Sequence, residues 1–152
     1  MPDELDNHLE SALRKDFRRL IETARHEALV KGWSHLSDSA WWTRVKDEVI
    51  TPILVEAVAA LQHSRLYADQ RPRNGGSGAR LEAGSVDSPT RSTLIFDLHE
   101  SGIRVESSES GFNEDWTDRA YVSETVVTEK VGDFLKAVAG RYQPGQLRSG
   151  IR

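Results

Sequence analysis

The chain has 152 residues, 38% hydrophobic and 29% charged, with four tryptophans; that length can bury roughly two thirds of the unfolded surface, and the composition excludes wholesale disorder, which needs a shortage of apolar side chains. Twenty basic against 24 acidic residues leave a net charge of −4, spread so that neither half is a charged tail. The absence of cysteine excludes disulfides, thiol nucleophiles and thiolate-held zinc or iron–sulfur centres, and fits a reducing cytoplasm.

The amino terminus, Met1-Pro2-Asp3-Glu4-Leu5-Asp6, is acidic where a secretory leader is basic and then apolar, so no export signal is read here. From about residue 3 to 31, apolar side chains recur at Leu5, Leu9, Leu13, Phe17, Leu20, Ile21, Ala24 and Ala28. Steps of three and four predict an amphipathic helix, with Asp3, Glu4 and Asp6 at its positive end and Lys31-Gly32 at its close. Opposite the apolar stripe, Arg14, Lys15, Arg18, Arg19 and Arg25 share one arc, a face fit for phosphates or an acidic protein surface.

A turn over 33–36 and a cap at Ser37 or Asp38 predict a second helix from about 38 to 67, folded back on the first as a hairpin and bent where Pro52 removes a hydrogen bond near Thr51. Residues 53–61 are apolar nearly all round, interrupted only by Glu56, so one partner helix cannot cover them. This run, extended back to Val49, still falls short of the about 20 residues that span a bilayer; membrane contact is not expected. Trp33, Trp41 and Trp42 cluster at the hairpin's end. The neighbouring indoles project about 100° apart, which leaves two readings: at least one ring partly exposed as a surface for a protein partner, a second copy above all, or rings that close the open end of the hairpin against the other half of the chain.

Residues 70–91 carry Gly, Ser, Pro and Arg with no period, the composition of a flexible connection. Beyond them, residues 93–98 and 103–106 alternate around Ser101-Gly102, a two-residue turn that would pair Leu98 with Val105, His99 with Arg104 and Asp97 with Glu106. Leu94, Phe96 and Leu98 would face the core; Asp97, His99, Arg104 and Glu106 would share the polar face. A histidine among carboxylates is the nearest approach to an acid–base or metal constellation here. Residues 112–117 read as loop, 121–127 as a possible third strand, and a final helix would bury Val131, Phe134, Leu135 and Val138 before Gly140. Residues 143–152 read as a loose tail.

Zinc-protease, phosphate-loop, dinucleotide and nucleophile-elbow motifs are all absent from the sequence. The expectation is a single α+β domain: helical hairpin 3–69, connection 70–91, and a small antiparallel hairpin or three-stranded sheet with a helix over 92–142. Its expected function is a non-catalytic, self-associating protein-interaction module without cofactor. The alternatives are a binder of nucleic acid or an acidic partner through the basic helix face, and a small hydrolase or metal-dependent enzyme centred on the hairpin's polar face.

Overall fold

The computed structural model describes residues 18–72 and 78–142. Helix α1 is described over residues 18–32; the earlier part of the first helix expected from the sequence, with Leu5, Leu9, Leu13 and Phe17, lies outside the described residues. A turn closed by Trp33 N–H to Val30 and Leu36 N–H to Trp33 leads to α2 (Asp38–Val45), whose first turn is capped by the Ser37 hydroxyl accepting from Ala40 N at 3.4 Å. The backbone then widens into a π turn (Lys46–Ile50) and resumes as α3 (Thr51–His63) with Pro52 in its first turn. That is the position where a missing N–H costs least.

Five strands follow, β1 (Tyr67–Pro72), β2 (Ala79–Gly84), β3 (Arg91–His99), β4 (Gly102–Ser107) and β5 (Glu114–Trp116), in the spatial order β1-β2-β3-β4-β5 with every neighbour antiparallel. A 3₁₀ turn (Arg119–Tyr121) then leads into α4 (Glu124–Tyr142). The mixed α+β character expected from the sequence is present, with a larger sheet than the sequence announces. One face of that sheet carries Ala68, Ala79, Leu81, Ala83, Leu94, Phe96, Ile103, Val105 and Trp116, all buried; Trp41, Val45, Ile50, Leu54, Val131, Phe134 and Val138 from the helices complete one core. α3 packs on β1, β2 and α4, giving a layer of helices on one side of the meander.

Several boundaries differ from expectation, each for a physical reason. The second helix stops at His63 rather than near 67, because Arg65 adopts a left-handed conformation (φ 63°) that lets Leu66 N–H reach the Leu61 carbonyl at 3.0 Å; this is the geometry usually marked by glycine, here carried by arginine. The connection predicted over 70–91 contains most of a β-hairpin instead. Ala79, Leu81 and Ala83 point inward and Arg80 and Glu82 outward, a period of two disguised by alanine. The irregular part of that stretch, among the described residues, is confined to 78 and 85–90.

The β3–β4 register is two residues away from the predicted one, the turn standing one residue earlier. Asp97 pairs with Arg104, Leu98 with Ile103 and His99 with Gly102, so the turn is Glu100-Ser101, with Glu100 at φ 53°. Gly102 is therefore a strand residue: a Cβ there would lie 2.0 Å from the Trp116 carbonyl oxygen of β5. The third strand expected at 121–127 is a 3₁₀ turn and a helix start, while β5 lies in the segment read as loop. α4 begins earlier, its first turn accepted by the Ser123 hydroxyl from Val126 N at 3.2 Å, and runs through Gly140 to Tyr142, whose hydroxyl meets buried Ser92 Oγ at 2.9 Å. The tail 143–152 lies outside the described residues.

Candidate functional site

Asp97, His99, Arg104 and Glu106 do share the open face of the sheet, because a register shift between antiparallel neighbours that also moves the turn by one keeps their parity. Their relations change. The opposed pair Asp97–Glu106 does not form; Arg104 stands across from Asp97 on one side and Asp115 on the other. Arg104 Nε donates to Asp115 Oδ1 at 2.9 Å and Nη2 to Oδ2 at 3.4 Å, while Nη2 also lies 2.9 Å from His99 Nε2. That contact makes Nε2 the acceptor and leaves the ring proton on Nδ1.

Through its hydrogen bond, Arg104 holds the Asp115 carboxyl below the usual aspartate range, and Asp115 in turn raises Arg104. Next to this pair Glu114 is held low by Lys130; Arg80 pairs with Glu82 on β2 and Arg71 with Asp69 on β1. An open hollow of about 590 Å³ lies over β3–β5, lined by Thr93, Ile95, Arg104, Glu106, Asn113 and Asp115 among others. Chemically this face is a lattice of compensated charges. Its histidine turns Nε2 to a guanidinium rather than to open space, and among the described residues no three of His, Asp and Glu gather as a metal site.

The helix face tells a different story. The side of α1 that meets the body carries Thr23, His26, Glu27, Val30 and Trp33. His26 Nδ1 lies 2.6 Å from Glu124 Oε2, and Thr125 Oγ1 donates to Glu27 at 2.7 Å, both on the first turn of α4. The described part of the apolar stripe that periodicity assigns to the core points outward: Leu20 is 67% exposed and Ile21 39%, with Ala24 and Ala28 exposed between them; Leu29, 60% exposed, projects from another side of the helix. Beside the stripe, Arg25, Ala28, Leu29, Gly32 and Trp33 line a groove of about 600 Å³. Arg18, Arg19 and Arg25 are exposed on the same helix; Arg14 and Lys15 lie outside the described residues.

The tryptophan corner closes rather than opens. Trp41 and Trp42 are 1% and 4% exposed, so the expected exposed ring between them is not found. Arg119 stacks over Trp41 at 4.7 Å, and α2 packs against β3. Trp33 alone is half-buried, with Arg44 over its ring at 5.8 Å. Residues 53–61 also resolve by packing: Leu54, Ala57 and Leu61 enter the core, leaving Val55 53% exposed. No described helix is long and apolar enough to cross a membrane. Comparison with protein-family models, with curated proteins and with solved structures finds no match.

Proposed function

We propose that the chain is a non-catalytic protein-interaction module whose docking surface is the outward face of α1. The observation that carries the reading is the inverted burial of that helix: its polar side meets α4, while Leu20, Ile21, Ala24 and Ala28 face solvent. Fully covering a side chain of this kind gains about 1.5–3 kcal/mol, so a partner on this face recovers what the single chain leaves unspent. A cysteine-free cytoplasmic protein fits the composition. The reading keeps α1 and α2–α3 as a helical hairpin bent near Pro52, supported by the turn after Gly32 and the π turn ahead of the proline.

A photo-reactive residue in place of Ala24, activated in extract of the native host, tests the docking face. We expect a discrete protein adduct that disappears when Ile21 is changed to Arg; a featureless pattern overturns the reading. A second reading, an acidic protein or nucleic acid bound by Arg18, Arg19 and Arg25, draws on the exposure of all three and would give binding that collapses with added salt. The hydrolase reading draws less support, since His99 Nε2 lies 2.9 Å from the Arg104 guanidinium.

A further inference from the structure

We propose that the open face of the sheet holds a second binding site: the hollow over β3–β5 takes a neutral, hydroxyl-rich small molecule of the saccharide class. The helices pack on the opposite, buried face of the sheet, so this site and the α1 surface stand or fall separately.

Strand alternation builds the hollow. In β3 the buried Leu94 and Phe96 turn toward the helices, which sets half-buried Thr93 and Ile95 outward as its floor. Arg104 and Glu106 of β4, Asp115 of β5, and Ser108 and Asn113 of the loop between them form its walls. Its volume of about 590 Å³ falls within the ~300–1,000 Å³ of small-molecule sites. The walls are held before any guest arrives. Arg104 is forked onto Asp115 at 2.9 and 3.4 Å, Asn113 Oδ1 accepts from Ser107 N at 2.8 Å, and Ser108 Oγ accepts from Thr93 N at 2.9 Å. Side chains fixed in this way have little freedom left to lose on binding.

These bonds leave a particular remainder. Among the described residues, the Asn113 amide nitrogen, Arg104 Nη1 and the hydroxyl protons of Ser108 and Thr93 have no acceptor. Asp115, kept ionised by Arg104, and Glu106 place carboxylate acceptors beside these donors, each with about four lone-pair sites. A hydroxyl donates and accepts at once, so a row of neighbouring hydroxyls matches donors and acceptors interleaved in this manner. Net charge on the guest is penalised in either direction: an anion meets Glu106 and Asp115, and a cation meets Arg104. An apolar guest finds one outward aliphatic side chain, Ile95, which is enough for the C–H face of one sugar ring and leaves the rest of the lining polar.

Proton–nitrogen NMR titration of the full chain tests the proposal. The probes are glucose, galactose, mannose, N-acetylglucosamine, maltose and cellobiose, each taken to about 50 mM, well above the millimolar affinity expected of an open site. At least one should give saturating shifts confined to residues 93–95, 104–108 and 113–115. Glucosamine and glucuronate, which add one charge to the same ring, should bind at least roughly fivefold more weakly than glucose. Thr93→Val and Asn113→Asp, which keep the side-chain shape while removing a donor, should each weaken binding roughly fivefold, and Ile95→Arg, which fills the floor, should abolish it. Lys136→Gln, on the exposed side of α4, should leave it unchanged; the spectrum of each variant reports its fold directly. No saturating shift from any of the six neutral sugars, shifts indifferent to the Thr93 and Asn113 exchanges, or tighter binding of either charged sugar overturns the inference.

Discussion

Arg119 does more for this fold than its place in a short 3₁₀ turn announces. Its Nε donates to the Ser101 carbonyl at 2.8 Å, Nη1 to the carbonyls of Ser34 at 3.0 Å and Leu36 at 2.6 Å, and Nη2 pairs with Asp38, while the guanidinium lies over Trp41. One planar fork thus joins the α1–α2 turn, the α2 amino end and the β3–β4 turn, and only 13% of the side chain is exposed. Removing it leaves three carbonyls to find water and uncovers the indole. Arg119→Ala should cost about 2–3 kcal/mol in urea unfolding, and Arg119→Lys should recover less than half, because a point charge cannot serve all three directions. A loss below about 0.5 kcal/mol, the scale of an ordinary surface substitution, would show that the fork is ornamental. No periodicity marks such a residue in the sequence: Ser34, Leu36 and Asp38 lie more than 80 positions away. The same applies to Arg104, whose decisive neighbour is Asp115 rather than the hairpin residues beside it.

At the level of elements, legibility followed the size of the side chains. β3 and β4 were readable from Leu94, Ile95, Phe96, Ile103 and Val105, whereas β1 and β2 hide their inward face in Ala68, Ala79 and Ala83, which carry little strand preference. Glycine misled where it served close approach instead of a turn. Gly102 was read as half of the hairpin turn, and the register slipped with it. The difference is measurable, because β4 and β5 meet so closely there that a methyl group would strike the Trp116 carbonyl oxygen and crowd Thr117 Cα at 3.0 Å. Gly102→Ala should therefore destabilise by about 3 kcal/mol through overpacking and loosen β5. Gly140→Ala, inside α4 with nothing within 4 Å of the new Cβ, should stabilise by about 0.5–1 kcal/mol. Equal effects at the two sites would contradict the close approach. For α1 the sequence identified a helix and the correct apolar stripe but oriented it wrongly, since periodicity states which residues share a face and says nothing about what covers it.

The molecule as a whole divides into a core that is sealed and a helix that is attached. β2, β3 and β4 are flanked on both sides by strands and backed by α3 and α4, with Leu81, Leu94, Phe96 and Phe134 fully buried. Apart from Val30 and half-buried Trp33, α1 meets that body chiefly through His26 with Glu124 and Glu27 with Thr125, and partly exposed polar pairs of this kind contribute little. Stability should therefore be uneven. In native-state hydrogen exchange of the dilute protein, amides of residues 20–29 should open at a cost on the order of 1–3 kcal/mol, while the central amides of β3 approach the global value. Protection of α1 equal to that of β3 in the dilute monomer would mean that the helix is held by the body after all, and its outward apolar face would then lose its claim to be the incomplete half of an interface.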